Sequence, residues 1–439
     1  MKITPLHAWI AHRIGCAPAA LDRSRIEQYQ LEHLNGLMEN LRAHSPFYKE
    51  RLASFPTRLN RLEELAGLPF TSADDLRRNP NRFACVSQDE IQRIVTLPTS
   101  GTTGESKRIF FTAEDLELTL DFFKVGMSTL ANAGDRVLIL LPGVRPDSLG
   151  DLLKRALERL GCLPVLYGPL DDEERVFQNI IDHEINVIVG APVHLLRLAR
   201  LDDADWVLPK NQIQKVLTST DVLPDAIRSA LQSLWGCEVF DHWGMTETGL
   251  GGGVECEAHQ GFHLREADLL VEIIDPISGK VLPEGGMGEV VITTLTRAGM
   301  PLLRYRTGDL SRLIPGECAC GSCIRRLDKI TKRVDAGIPL GAHILTLHDL
   351  DEALFQIPEM LDFSAIIHDN GEMKTLSLAL RSLPILQSEL EFQVFNSLEK
   401  IPTLQSALSD GSLELEISPH EQIRPENPNA MQKRRLMIG

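Results

Sequence analysis

Between residues 136 and 220 the chain repeats one pattern, a short apolar run followed by a helical stretch. The runs are "RVLILLPG" (136–143), "LPVLYG" (163–168), "NVIVGAP" (186–192) and "QKVLTST" (214–220), and "LGDLLKRALERLG" and "PVHLLRLARL" lie between them. A short apolar run without alternation reads as a strand covered on both faces. Strand and helix in turn, with short connections, predict a parallel α/β sheet.

The flanking regions have other textures. Residues 24–66 open with "RIEQYQLEHLNGLMENLRAH", which places Ile26, Tyr29, Leu31, Leu34, Leu37 and Leu41 at helical spacings and ends at the Ser-Pro of "SPFYKERL". "TSADDLRR" (71–78) reads as a capped helix start. After 260, "DLLVEIIDPISGKVLPEGGMGEVVITTL" holds two strand-like runs around a Pro/Gly-rich turn, the mark of antiparallel pairing. From about 336, a helical "HDLDEALFQIP" precedes the strand-like "DFSAIIHD", "KTLSLALR" and "SLELEIS". A chain of 439 residues exceeds what one hydrophobic core organises. The expected division is 1–334 (a helical lead-in over 1–90, an α/β core over 91–260 and a β-rich part over 261–334) and a C-terminal α+β piece, 335–439.

Net charge of −16 argues against nucleic acid or an anionic membrane as the main partner. The start, "MKITPLHAWIAHRIGC", lacks a continuous apolar signal core, and no apolar run approaches the roughly 20 residues of a membrane span. A cytoplasmic protein is expected.

"LPTSGTTGESKRIFFT" (97–112) gathers small hydroxyls and glycines between two β-like runs. Hydroxyls and backbone N–H groups in such a loop can cradle a phosphate, with glycine allowing close approach and Lys107 adding a point charge. The spacing G-x-x-G-x-x-K is not that of a P-loop NTPase. A Thr/Gly-rich surface turn has the same composition.

Eight cysteines do not form a disulfide framework over this length. Cys16, Cys85, Cys162 and Cys237 are scattered, whereas "ECEAHQGFH" and "ECACGSC" are clustered, which points to a metal before a disulfide. Cys256, His259, Cys318 and Cys320 make a soft set of four suited to tetrahedral Zn²⁺, with His263 and Cys323 as spare candidates. Free thiols are the alternative.

"TSGTTGESK" resembles the phosphate loop of the adenylate-forming enzymes. Three further blocks match in order: "HWGMTETG" (242–249), "PEGGMGEVVIT" (283–293) and "LLRYRTGDL" (302–310). "HSPFYKERL", "LPFTSADDLRR", "VECEAHQGFHLRE" and "CACG" ahead of "ITKRVD" are similar to the phenylacetate–CoA ligase branch. The resemblance implies an α/β fold with a large N-terminal adenylate-forming region of mixed sheets and helices and a small mobile α+β C-terminal domain. It implies an ATP-dependent ligase that joins a small-molecule carboxylic acid to coenzyme A through acyl-AMP, with Mg²⁺ as metal and a structural Zn²⁺.

By the same resemblance, Thr99, Ser100, Gly101, Thr102, Thr103, Gly104 and Lys107 hold the triphosphate. Asp241, His242, Trp243, Gly244, Met245 and Thr246 line the adenylate, with Trp243 against the adenine and Thr246 at the α-phosphate. Glu247 is the Mg²⁺ carboxylate, Asp309 takes the ribose hydroxyls, and Arg326 lies near ribose and phosphate. Arg333 and Asp335 form the hinge, although the usual second acid there is Ala336. The C-terminal lysine of the family falls nearest Lys433 in "NAMQKRRLMIG", a residue or two out of register. Transfer to a carrier-protein thiol, a homodimer, and an adenylate-binding sensor without turnover are the other expectations carried forward.

Overall fold

The computed structural model describes residues 1–97, 106–204, 207–334, 337–340, 343–369, 373–419, 434 and 436–438. By contacts the chain forms two compact units. The first is Met1–Ala131, Arg155–Leu160 and His242–Val334; the second is Asn132–Lys154, Gly161–Asp241 and Asp335–Gly439.

In the first unit, helix Arg23–His44 begins at Asp22, whose carboxylate accepts from the Arg25 N–H. Its buried face carries Ile26, Leu34, Leu37, Met38 and Leu41, which follow the helical spacing of the sequence. Ser45 then caps helix Pro46–Arg51, with proline at its first turn, where a missing N–H costs nothing. Helices Ala73–Arg78 and Ala113–Met127 both start with capping boxes, Ser72 with Asp75 and Thr112 with Asp115.

Strands Ile91–Leu97 and Lys107–Thr112 pair antiparallel. Strands Leu269–Ile274, Gly288–Thr294, Tyr305–Ser311 and Lys332–Arg333 form an antiparallel sheet in that order. Leu269 lies opposite Thr294 and Ile274 opposite Glu289, which is the hairpin expected from the sequence. A further antiparallel run starts from His242 and Trp243, opposite Val254 and Gly253. It continues through Phe262–Leu264 to Arg326–Leu327 and Leu313–Ile314.

In the second unit the four apolar runs become parallel strands. Leu163–Leu166, Arg136–Ile139, Val187–Gly190, Lys215–Thr218 and then residues 238–241 lie side by side. Val187, Ile188 and Val189 are almost wholly buried, as a doubly covered strand requires. The C-terminal segment contributes the long antiparallel pair Met360–Asp369 and Lys374–Ser382, flanked in parallel by Leu413–Pro419 and Leu436–Ile438. One core takes in Leu138, Ile188 and Val216 of the parallel sheet together with Leu354, Phe363 and Leu378 of this segment. The buried Arg200 guanidinium donates to the Phe355 carbonyl at 2.6 Å and to the Met360 carbonyl. No helix among the described residues is long and apolar enough to cross a membrane.

Candidate active site

Lys107 opens the strand that ends at the Thr112 capping box, and Glu247 lies in the short 3-10 turn Thr246–Thr248. The fold brings them into an ion pair, with Glu247 2% exposed and Lys107 16%. The Tyr305 hydroxyl completes the group: it donates to Glu247 Oε1 at 2.9 Å and accepts from Lys107 Nζ at 3.2 Å. Burial works to raise the Glu247 pKa, but Lys107, a backbone N–H and Tyr305 together hold it below the usual carboxylate range. Burial first, and the Glu247 carboxylate second, push the Tyr305 phenol far above its ordinary value, so it stays a donor.

The turn is itself held. The buried Arg297 guanidinium donates to the carbonyls of Thr246 at 3.5 Å, Glu247 at 3.3 Å and Phe110 at 3.1 Å, and lies 4.1 Å over the Phe111 ring. Asp115 accepts from the Ala298 and Gly299 N–H groups at 2.8 and 2.9 Å, fixing the segment that bears Arg297. Tyr305, Arg297 and Asp115 were not among the residues expected from sequence. Tyr305 heads the quoted Y-R-T-G-D block, so the signal was present; Arg297 and Asp115 carry none.

At the other end of strand Tyr305–Ser311, Asp309 is 6% exposed. It accepts from the Trp243 indole N–H at 3.2 Å and from Arg333 Nη1 at 2.6 Å. Arg333 also donates to the Thr307 carbonyl at 2.7 Å. Trp243 packs on Gly252, where an added Cβ would lie 2.4 Å from the indole ring. Of the neighbouring expected residues, Gly244 is exposed, Met245 and Thr246 are half-buried, and the His242 ring lies 6.5 Å from that of Phe122. Asp241 belongs to the second unit, where it accepts from the Thr218 hydroxyl at 2.6 Å. Thr99, Ser100, Gly101, Thr102, Thr103, Gly104, Asp335 and Lys433 lie outside the described residues.

Arg326 is not brought to Asp309. It is 4% exposed, and its guanidinium donates to the carbonyls of Gln260, Gly316 and Glu317 at 3.1, 3.2 and 3.3 Å. It sits opposite His263 on the neighbouring strand, so its charge is spent on the cysteine loops. Arg333 is a basic partner of Asp309.

Cys256, His263, Cys318 and Cys320 are all buried, and their ligand atoms lie within 4.8 Å of one another. His259, expected as the fourth member, is outside this group: its φ of 50° places it in a tight turn, with Nδ1 3.3 Å from Glu255 Oε2. The two sulfurs of Cys256 and Cys318 are 3.7 Å apart, and Cys320 Sγ is 3.5 Å from His263 Nε2. Tetrahedral bonds of about 2.3 Å to sulfur and 2.0–2.1 Å to nitrogen give edges of about 3.8 and 3.6 Å, so the four donors fit a zinc ion. The Ala258 and Cys320 N–H groups donate to Cys256 Sγ and Cys318 Sγ at 3.4 and 3.5 Å, but burial and the neighbouring sulfurs outweigh this and push the Cys256 thiol far up, so a thiolate there needs a cation beside it. Burial, helped by Arg326 and His7, pushes His263 down to about 3, leaving the neutral ring a metal requires.

Residues 41–297 match the family model described as AMP-binding enzyme. The chain is 30% identical over 363 residues to the phenylacetate–coenzyme A ligase of Pseudomonas putida, covering 80% of this chain and 81% of that one. It is 31% identical over 362 residues to the Thermus thermophilus enzyme of the same name, with 79% of each chain covered. Its fold is like that of 2-hydroxyisobutyryl-CoA ligase, solved in the postadenylation state with 2-HIB-AMP, at a TM-score of 0.81 and 20% identity over 95% of this chain and 90% of that one. With more than half its length under the family model and these relatives beside it, the chain belongs to the adenylate-forming AMP-binding enzymes, in their phenylacetate–CoA ligase-like branch.

Proposed function

We propose that this protein is an ATP-dependent carboxylic acid–CoA ligase. The acid's carboxylate attacks the ATP α-phosphorus, the Pα–O bond to the β-phosphate breaks, and pyrophosphate leaves. The thiolate of coenzyme A then attacks the acyl carbon and AMP departs with the bridging oxygen. Positioning and charge stabilisation do most of such work, rather than covalent chemistry by the protein.

The observation that carries this reading is the convergence of Lys107, Glu247 and Tyr305 on one face, with Trp243, Asp309 and Arg333 joined at the far end of the same strand. In this reading Asp309 holds the ribose hydroxyls as a two-oxygen acceptor, with Arg333 orienting it. Trp243 stacks on the adenine. Residues 99–104 and Thr246 receive the phosphates, and Lys107 adds its charge there. A single buried carboxylate, Glu247, suits Mg²⁺, which takes few protein ligands and otherwise phosphate oxygens and water. That ion supplies charge neutralisation at the phosphates. Lys433 serves the first half-reaction, and a turn of residues 335–439 about Asp335 between the two halves has to part the core that this segment shares with the parallel sheet. Cys256, His263, Cys318 and Cys320 hold a structural Zn²⁺, and the enzyme works in the cytoplasm.

The test is acid-dependent exchange of labelled pyrophosphate into ATP, over pooled aryl, aliphatic and dicarboxylic acids. Exchange with one pool is expected, and no exchange with any, in protein that binds ATP, would remove the adenylation step. Adding coenzyme A and following acyl-CoA separates this acceptor from a carrier-protein thiol.

A further inference from the structure

Glu247 presents a problem that the metal reading alone does not answer. A carboxylate only 2% exposed is costly to ionise without a compensating cation. If Mg²⁺ were the sole partner of its oxygens, the folded protein would leave this buried charge only the Arg297 guanidinium, itself turned to backbone carbonyls, whenever nucleotide is absent. The structure supplies the missing charge from within: the Lys107 ammonium sits on Glu247 Oε1, the oxygen that also accepts from Tyr305.

We infer that Lys107 is a placeholder cation, which occupies the metal's position on Glu247 until a divalent cation arrives with the triphosphate and displaces it. The inference rests on the reading of Glu247 as the metal carboxylate. Three features carry it. Lys107 is a point charge on a flexible four-carbon stem, so it can leave the carboxylate without moving its strand. Tyr305 touches both members of the pair and, as a neutral donor, can stay on Glu247 whichever cation is present. A dication beside Glu247 would repel the ammonium, and the incoming phosphates offer it the nearest new anions. The exchange keeps the local charge balanced at each stage. It also makes metal and nucleotide bind together, because metal alone must expel Lys107 with nowhere better for that charge to go.

The probe is Mn²⁺, followed by the electron paramagnetic resonance of the free ion, with full-length protein and with or without α,β-methylene-ATP. Wild type should bind Mn²⁺ at least about tenfold more tightly with the analogue than without it, an ordinary size for coupled binding. Lys107→Met should gain a nucleotide-independent Mn²⁺ site at least about tenfold tighter than that of wild type, again within the ordinary range of such couplings. Lys107→Arg should gain none, and adding Glu247→Gln to the methionine variant should abolish the gain. A folded Lys107→Met that binds Mn²⁺ no better than wild type would overturn the inference. Should that variant not fold, Lys107→Gln replaces it, and equal Mn²⁺ affinity of wild type with and without the analogue overturns the inference with no variant at all. Mn²⁺–analogue binding that survives Glu247→Gln unchanged would instead remove the metal reading beneath it.

Discussion

Arg333 Nη1 lies 2.6 Å from Asp309 Oδ1, and the Trp243 indole holds the other oxygen of the same carboxylate at 3.2 Å. The two donors approach from different segments and fix the carboxylate plane. Asp309→Ala should therefore raise the ATP KM and lower turnover together, by about 1–2 kcal/mol for lost charged hydrogen bonds. Arg333→Met should move the ATP KM the same way. Pyrophosphate exchange at varied ATP measures both, and unchanged values in the two variants would remove this pair from the nucleotide site.

Glu247→Gln keeps the shape of the side chain and removes its charge. Lys107 then loses its buried partner, a change that costs about 3–5 kcal/mol when one half of such a pair is deleted. AMP formation should fall by at least about a hundredfold, the size of other lost electrostatic groups in active sites. Near-normal turnover across a Mg²⁺ titration would exclude Glu247 from metal binding.

Protein purified without added zinc should carry about one zinc per chain by elemental analysis, from the four-donor geometry. His263→Ala should lose it, while His259→Ala should keep it. The reverse result would restore the ligand set expected from sequence.

Burial, and after it the Arg265 guanidinium, push the His242 imidazole down to about 4, against about 6.5 in an unfolded chain. The folded protein disfavours the protonated ring. The stability it contributes is therefore complete above about pH 6.5 and is lost as pH falls toward 4. By about pH 5 the loss should reach about 2 kcal/mol at most, since the ring keeps some access to water. Urea unfolding at neutral and acid pH should show a smaller acid loss in His242→Asn than in wild type. Equal losses would clear His242 of the effect.

Gly252→Ala puts a methyl group into the face of the Trp243 indole, 2.4 Å from its ring atoms. The indole must shift, and its bond to Asp309 with it. A raised ATP KM and a changed tryptophan emission are expected; neither changing would show that the ring can move aside without loss.

Much of this was legible in the chain. The four apolar runs, the hairpin over 269–294 and the capped start at Ser72 form where local pattern puts them, because each is decided by burial or by groups a few residues apart. The site was legible only where a residue's chemistry is written in its own block. Glu247 and Lys107 stand 140 residues apart, and only the fold makes them partners. The histidine that the fold groups with the three cysteines is not the one that spacing favours, for a physical reason. Spacing favours His259, three positions after Cys256, yet the chain turns there with positive φ and aims that ring at Glu255. His263 reaches the thiols because it lies on a strand between Val254 and Arg326. The partners of Arg326 were hidden likewise: its position in the sequence says nothing of the three carbonyls that take up its donors.

Strand Tyr305–Ser311 alternates buried and less buried residues, with Tyr305, Thr307 and Asp309 on the buried side. Its register against Gly288–Thr294 shifts at a bulge that contains Gly308, at φ 79°. Tyr305 reaches Glu247, and Asp309, four residues on, reaches Trp243 and Arg333. Four residues of strand span at most about 13 Å. Under the proposed nucleotide reading the strand is a ruler, its length setting the distance between the residues assigned to the phosphates and those assigned to the ribose. One residue inserted or deleted between Tyr305 and Asp309 would turn one of them to the opposite face unless the bulge at Gly308 took up the change.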